Sequence, residues 1–313
     1  MRISVIDPLG RAWNRMVLVL FTPFELGKWC TLGFCAFLAQ LGQGGTNYSF
    51  RWTQNMQRFP FEDIHRWVLA HLALVVALAA VVVVLSLALG VVLKWLAARG
   101  QFMFLDGVVK NRGAVVEPWH QFRSLGNSLF WVRLVLGVSV GLASLAIIAL
   151  GVLLAWTDIR ARHFGPHALA AVIVCAALLV LLILVFILIN ALLLDFVVPI
   201  MYRRSVRTME AASIFRHEIV PNHLGVIILF YLLKIAIGIG LVPLAILVTC
   251  CTCCIAGLPY ISSVVFLPVS VFFRSYSICF LEQFGPQWRF FDAGSVPLTA
   301  PSGEGEIAPA QPV

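Results

Sequence analysis

Long apolar runs, separated by shorter polar and basic segments, dominate the pattern of this chain. The runs are continuous Leu, Val, Ile and Ala stretches without strand-like alternation, so they predict helices and not the strands of a barrel. A helix needs about 20 apolar residues to cross ~30 Å of hydrocarbon. The pattern therefore predicts an all-α, polytopic transmembrane helical bundle with six spans, at about residues 24–42, 67–93, 130–156, 168–194, 224–249 and 260–281.

The segments that flank this membrane domain, residues 23–285, have a different character. Asp7 and Pro8 form a helix start, with a carboxylate at the N-cap and proline at the first helical position. Residues 1–22 predict an amphipathic helix in the cytoplasmic interface of the membrane. Residues 286–313 are rich in Pro, Gly, Ala and Ser and predict a disordered cytoplasmic tail. The predicted helix carries an apolar stripe of Leu9, Ala12, Trp13, Met16 and Leu20 opposite Arg11, Asn14 and Arg15.

Composition and charge agree with this topology. Hydrophobic residues make up 61% of the 313 positions and charged residues only 12%, against about 25% charged residues in soluble domains. Of the 22 Lys and Arg residues, 16 lie on the side of the N-terminus, five lie on the other side and Lys234 lies within a span. Since inner loops are enriched in Lys and Arg, both termini are predicted to be cytoplasmic. The same asymmetry explains the net charge of +8 without a nucleic-acid partner.

Three internal repeats are indicated by charged residues at matching places. The inner ends of the second, fourth and sixth spans each carry an acid, and these acids are 89 and 87 positions apart. Each odd span carries a base, and each acid follows a polar residue by five positions. The unit is a helical hairpin preceded by an interfacial segment, and three copies build the bundle. The acids are Asp106, Asp195 and Glu282, the bases are Lys28, Arg133 and Lys234, and the polar residues are Gln101, Asn190 and Ser277.

Two interpretations of these charges remain open. An ionisable side chain such as Lys234 inside a span is costly and has a partner or a task. In the first interpretation each base pairs with an acid and clamps the hairpins together at the inner boundary. In the second, the acids and bases line a cytoplasmic vestibule that binds an ion or a lipid headgroup.

Four cysteines cluster at the outer end of the fifth span. Their two overlapping Cys-x-x-Cys pairs allow thiol exchange or a disulfide in an oxidising compartment. The alternative is that they are small side chains that permit close helix packing. No zinc site is expected, because four thiolates within five residues cannot surround one ion tetrahedrally, and no catalytic, cofactor or metal-binding motif is recognised elsewhere. The residues of this cluster are Cys250, Cys251, Cys253 and Cys254.

Several short blocks resemble a known group of proteins. FTPFELGKW at 21–29, FLD at 104–106, GNSLF at 126–130, FRSY at 273–276 and FLEQFG at 280–285 look like the recurring blocks of bacterial six-span membrane proteins that form a domain family of unknown function. The layout is also similar to the membrane domain beside some bacterial glycerophosphodiester phosphodiesterases. The resemblance covers about residues 5–290 and implies a bacterial inner-membrane protein. It transfers no active site, because the matching blocks are structural.

These observations lead to three functional hypotheses. The leading one is a non-enzymatic membrane organiser that binds protein partners, its own copies as a homo-oligomer, or anionic phospholipid at the cytoplasmic leaflet. The second is a small-solute or ion transporter that uses Lys234 with the three acids. The third is a thiol-redox membrane protein acting through the cysteine cluster. For lipid binding, the candidate arginines are Arg11, Arg15, Arg123, Arg203 and Arg204.

Overall fold

A computed structural model describes residues 3–41, 71–161, 165–251 and 259–291. In these ranges the chain is helical and contains no strand, as the sequence predicts. Two π-helical turns, Leu193–Val197 and Phe215–Ile219, interrupt the α-helices. The α-helices are α1 Asp7–Phe21, α2 Leu26–Gln40, α3 Leu72–Lys110, α4 Val116–Gln121, α5 Arg123–Leu154, α6 Trp156–Ala161, α7 Pro166–Leu192, α8 Val198–Arg204, α9 Thr208–Ile214, α10 Val220–Cys251, α11 Pro259–Val265 and α12 Leu267–Leu281.

Four stretches of helix are long and apolar enough to cross a membrane, and they overlap the second to fifth predicted spans. They are Leu72–Lys110, Arg123–Leu154, Ala168–Arg204 and His223–Cys251. The first predicted span is represented by α2, which has 15 residues, and residues 42–70 lie outside the described ranges. The sixth predicted span is divided between α11 and α12. Pro268, at the start of α12, has no N–H to continue the preceding helix, which accounts for the break.

The long helices extend beyond the apolar runs that predict them. Helix α3 has 39 residues, about 58 Å at 1.5 Å per residue, roughly twice the thickness of the hydrocarbon core. The sequence predicts a mixed basic connection from Lys94, but the chain stays helical until Asn111 adopts a left-handed conformation with φ 54°. Lys and Arg are good helix formers, so their appearance ends the apolar run without ending the helix.

The bundle consists of two regions, which differ in how much of their apolar surface is buried. The apolar stems are residues 72–92, 142–154, 169–188 and 224–247, where most large apolar side chains are exposed; Leu85, for example, is 62% exposed. The packed layer is residues 97–108, 193–201 and 274–281, where nearly every side chain is buried, including Leu105 at 0% exposure. Stems without protein neighbours need an apolar solvent, so this division is that of a membrane protein.

Helix α1 docks on the packed layer. Its buried face includes Ala12, Met16 and Val19, and it packs mainly against α12. Trp13 remains 58% exposed. Arg15 was expected on the polar face, yet it is buried and donates to the carbonyl oxygens of Val108 and Val109. An amphipathic pattern reports one apolar face without saying whether lipid or another helix covers it, which explains this correction.

The chain beyond α12 also belongs to the packed layer. The Glu282 carboxylate accepts the N–H groups of Phe290 and Phe291 at 2.9 and 3.0 Å. Trp288 is 1% exposed, and the Arg204 guanidinium lies 4.6 Å from its ring centre. The prediction of a disordered tail from residue 286 is therefore corrected as far as Phe291. Burial of the Trp288 and Phe291 side chains holds this segment in place despite its turn-forming composition. Residues 292–313 lie outside the described ranges.

Candidate functional site

Lys234 and Asp195 form an ion pair between α10 and the π turn that follows α7. The Lys234 ammonium nitrogen lies 2.6 Å from each oxygen of the Asp195 carboxylate. The Ser277 hydroxyl donates to the same carboxylate at 2.9 Å. The pair thus links α10, the π turn and α12. The sequence predicts base–acid pairs without assigning the partners, and the structure brings this base and this acid together.

The backbone conformation at Asp195 serves a second network. The carboxylate lies in the π turn Leu193–Val197, and such turns shift the register of a helix and expose carbonyl groups. Arg274 donates to the Leu194 carbonyl oxygen at 2.8 Å and also to the Gln101 side chain. Gln101 in turn donates to the Ala39 carbonyl oxygen at 2.7 Å. This chain of hydrogen bonds connects α2, α3, the π turn and α12 across the packed layer.

Asp106 has partners that the sequence pattern does not predict. Lys110, one turn later in α3, lies 2.8 Å from its carboxylate, and Arg112 donates to it at 2.9 Å. The Tyr202 hydroxyl donates to the other oxygen at 2.9 Å. Hydrogen bonds to Glu117 and to Asp106 raise the pKa of the Arg112 guanidinium. Asp106 therefore fastens α3, the loop after it and α8.

The other two bases, Lys28 and Arg133, form no ion pair with the three acids among the described residues. Lys28 donates to the Asn111 side-chain oxygen at 2.7 Å, so it meets an amide where an acid was expected. Glu282 pairs with Arg11. Among the described residues, each of the three acids has its own set of partners. Sequence spacing gives the position of each charge along its helix, but the rotation of the helices decides which charges meet.

Arg133 faces a cavity of about 330 Å³ between α5, α7 and α10. Its buried Nε meets no hydrogen-bond acceptor in the part of the chain that the structure describes. Asn190, Asp195 and Lys234 line the same cavity, and apolar residues of α7 form the rest of its wall.

A second cavity, of about 170 Å³, lies on the other side of the Lys234–Asp195 pair. Gln40, Gln101 and Arg274 contribute to its polar wall. Arg274 is close enough to Arg133 for their positive charges to repel each other. Around the two cavities, three cations (Arg133, Lys234 and Arg274) therefore stand against the single carboxylate of Asp195. This arrangement favours a bound anion over a bound cation.

A comparison with family models decides the relationship of this chain. The model described as "Family of unknown function (DUF7544)" matches residues 3–241. The chain belongs to this family. The match covers α1 through most of α10 and includes Arg133, Asn190, Asp195 and Lys234, but it stops before α12 supplies Arg274 and Ser277. Neither the curated proteins nor the solved structures contain a match to the chain.

Arg274 is one of the 16 cations predicted on the side of the N-terminus, and the sequence pattern does not distinguish it from the others. A signal was available, because Gln101 and Ser277 were singled out as polar positions five residues before an acid. Gln101 binds Arg274 and Ser277 binds Asp195. Polar residues at matching depths in apolar segments were therefore the better guide to the network.

The cysteine cluster is described only in part. Cys250 and Cys251 are exposed and carry free thiols, whereas Cys253 and Cys254 lie outside the described ranges. Thiol chemistry at this cluster stays a prediction. No group of three or more His, Cys, Asp or Glu side chains is placed to hold a metal ion within the residues that the structure describes.

Proposed function

We propose that this family member is an integral protein of the bacterial inner membrane, with six spans in three hairpins and both termini in the cytoplasm. Four helices of spanning length support the membrane assignment. Helix α2 packs along α3, and α5 packs along α7, in keeping with the first two hairpins. In the third, Phe230 of α10 stacks on Tyr276 and Phe280 of α12 at 4.8 and 4.5 Å.

Its function is to bind anionic phospholipid at the cytoplasmic leaflet and to organise the membrane there without catalysing a reaction. The observation that carries this proposal is a group of exposed arginines beside the packed layer. Arg123, Arg203 and Arg207 are exposed and form no ion pair with any residue that the structure describes. Such cations near a membrane surface each contribute about 1 kcal/mol of attraction to anionic lipid.

Contacts between their helices hold these arginines near one another. Phe122, beside Arg123, packs against Tyr202, beside Arg203, with ring centres 5.1 Å apart. The Thr208 N–H donates to the Ser128 hydroxyl at 3.1 Å, which joins α9 to α5. The segments that carry the three arginines are therefore neighbours.

Three arginines of the sequence-based set are removed from this proposal. Arg11 pairs with Glu282, and Arg204 pairs with Glu218 and covers Trp288. Arg15 is 3% exposed and binds backbone carbonyl groups. Arg207 enters the set instead.

The test is the triple variant R123Q/R203Q/R207Q, compared with wild type by native mass spectrometry in detergent. Loss of three cations is expected to weaken phosphatidylglycerol binding on the order of 100-fold, from about 1 kcal/mol per charge. Phosphatidylcholine binding should change little. Arg160, which is exposed near the opposite ends of the stems, supplies the control variant R160Q, to be compared with R123Q alone. Equal phosphatidylglycerol retention by the triple variant and wild type would contradict the proposal.

A transporter is the second candidate, because two cavities meet at the Lys234–Asp195 pair. It requires water to reach this pair from one side of the membrane. Asn190 lines one cavity, whereas Ile237 lines an apolar groove beside α1. In a cysteine-free background, a membrane-impermeant maleimide should label N190C and not I237C if an aqueous path exists. Protection of both positions argues for a closed bundle.

A further inference from the structure

The cavity beside Arg133 has the chemistry of an anion site and lies apart from the surface arginines. A guanidinium group stays charged under all ordinary conditions, so Arg133 cannot lower the cost of burial by losing a proton. A buried charge without a partner is strongly unfavourable. Yet its Nε finds no acceptor among the described residues. A negatively charged group bound beside Arg133 therefore lowers the free energy of the folded protein.

The carboxylate in the cavity does not satisfy Arg133. Both oxygens of Asp195 receive a hydrogen bond from Lys234, and one also receives the Ser277 hydroxyl. Asp195 thus neutralises Lys234, and Arg274 adds a further positive charge behind it. The site retains an excess of positive charge that no described residue cancels.

The walls of the cavity indicate how a ligand enters. Phe186, Ile187 and Ala191 of α7 form its apolar part, and Ile187 is 57% exposed on the surface of the stem. An opening on the apolar surface admits a group attached to a hydrocarbon chain. The polar end, with Arg133 and Asn190, lies deeper between the helices.

We propose that this cavity binds a phosphate group, with the Arg133 fork donating two hydrogen bonds to its oxygens. Arginine and phosphate have matching planar, two-pronged geometry. The phosphate of an anionic lipid and free inorganic phosphate share this chemistry, and the experiment separates them. The site is distinct from the arginine surface of the proposed function.

The test uses the full chain in a mild detergent and measures its melting temperature, with phosphatidylglycerol, phosphatidylcholine or inorganic phosphate added separately. The variant R133M keeps the length of the side chain and removes its charge. Without ligand, R133M should melt at a higher temperature than wild type, because a half-buried charge with a partnerless Nε has been replaced by an apolar group. With phosphatidylglycerol, wild type should be stabilised and R133M should not, with an affinity loss of about tenfold or more.

Control variants separate this site from other roles. R133K keeps the charge without the fork and should recover only part of the ligand-dependent stabilisation. The Nε of the buried Arg99 also lacks an acceptor among the described residues, but Arg99 donates to the Asn127 side-chain oxygen at 3.2 Å and lies between Trp95 and Trp119 at 4.2 and 4.7 Å. Because these contacts stabilise Arg99 without a ligand, R99M should melt lower than wild type in every condition. The triple variant R123Q/R203Q/R207Q should keep the Arg133-dependent shift.

Stabilisation by phosphatidylglycerol alone identifies a lipid phosphate, and an equal shift with inorganic phosphate identifies the free ion; both support the site. The proposal is overturned if R133M melts lower than wild type with and without ligand, as a merely structural arginine requires. It is equally overturned if R133M retains the full ligand-dependent increase in melting temperature of wild type, or if neither phosphatidylglycerol nor inorganic phosphate stabilises wild type.

Discussion

Helix α3 passes through both regions of the molecule and shows how differently they are built. In its stem, Leu85 and its neighbours are exposed, and a Cβ atom added at Gly90 would meet no other atom within 4 Å. In the packed layer, Leu105 is fully buried, and a Cβ added at Gly100 would come within 2.7 Å of the Ala39 nitrogen. One helix thus requires apolarity in one half and a particular shape in the other.

The difference teaches that hydropathy and packing are separate properties in this protein. The apolar windows of three of the four spanning helices have no buried residues, and the fourth has 11%. The residues that join helices to one another lie mostly outside those windows, in segments that also carry Asp106 and Arg274. We therefore expect the stems to tolerate apolar substitution and the packed layer to resist it.

The largest expected effect is in the ion pair of the packed layer. D195A leaves Lys234 without its carboxylate partner and should lower the free energy of unfolding by about 3–5 kcal/mol. Denaturant titration in detergent micelles measures this loss. The double variant D195L/K234M removes both charges and should be more stable than D195A. A D195A protein as stable as wild type would show that the pair does not clamp the helices.

A matched pair of leucine truncations compares the two regions directly. L105A should lower the free energy of unfolding by about 2–5 kcal/mol, because it opens a cavity among buried side chains. L85A truncates a side chain that is exposed on the stem and should lower the free energy of unfolding much less in the same titration. Similar losses for the two variants would contradict the division into stems and packed layer.

The smallest expected effect comes from two glycines of α3. G100A should lower the free energy of unfolding by about 1–3 kcal/mol, since the added methyl group collides with α2. G90A should be neutral or stabilising by up to about 1 kcal/mol, because alanine favours the helix. Equal melting temperatures for G100A and wild type would show that α2 and α3 can separate without loss.

Much of the bundle could be predicted from the sequence, for a simple reason. The apolar runs at 67–93, 130–156, 168–194 and 224–249 specify helices because backbone groups in hydrocarbon have no other partners. The repeated charges also predict that each base pairs with an acid without assigning the partners, and Lys234 with Asp195 is one such pair. Both inferences use information carried along one helix.

What the sequence left open depends on contacts between helices. The partnerless Nε of Arg133 cannot be recognised from its neighbours in the chain, because its environment is formed by α7 and α10. The π turn at Asp195 has no sequence signal that we recognise. The sequence pattern places Arg15 on a face directed towards lipid headgroups. In the structure its guanidinium instead binds the carbonyl oxygens of Val108 and Val109 near the C-terminal end of α3.

The docking of α1 also has a consequence for the order of assembly. The Tyr276 hydroxyl donates to the Val5 carbonyl oxygen at 3.1 Å, and Ser4 and Gln283 exchange two hydrogen bonds of 2.8 Å. Helix α1 therefore acquires its main partner, α12, only after the described helices between them have been synthesised. Until then its apolar face needs a temporary cover, and the membrane surface can provide one. Docking of α1 on α12 then brings the two ends of the described chain together beside the packed layer.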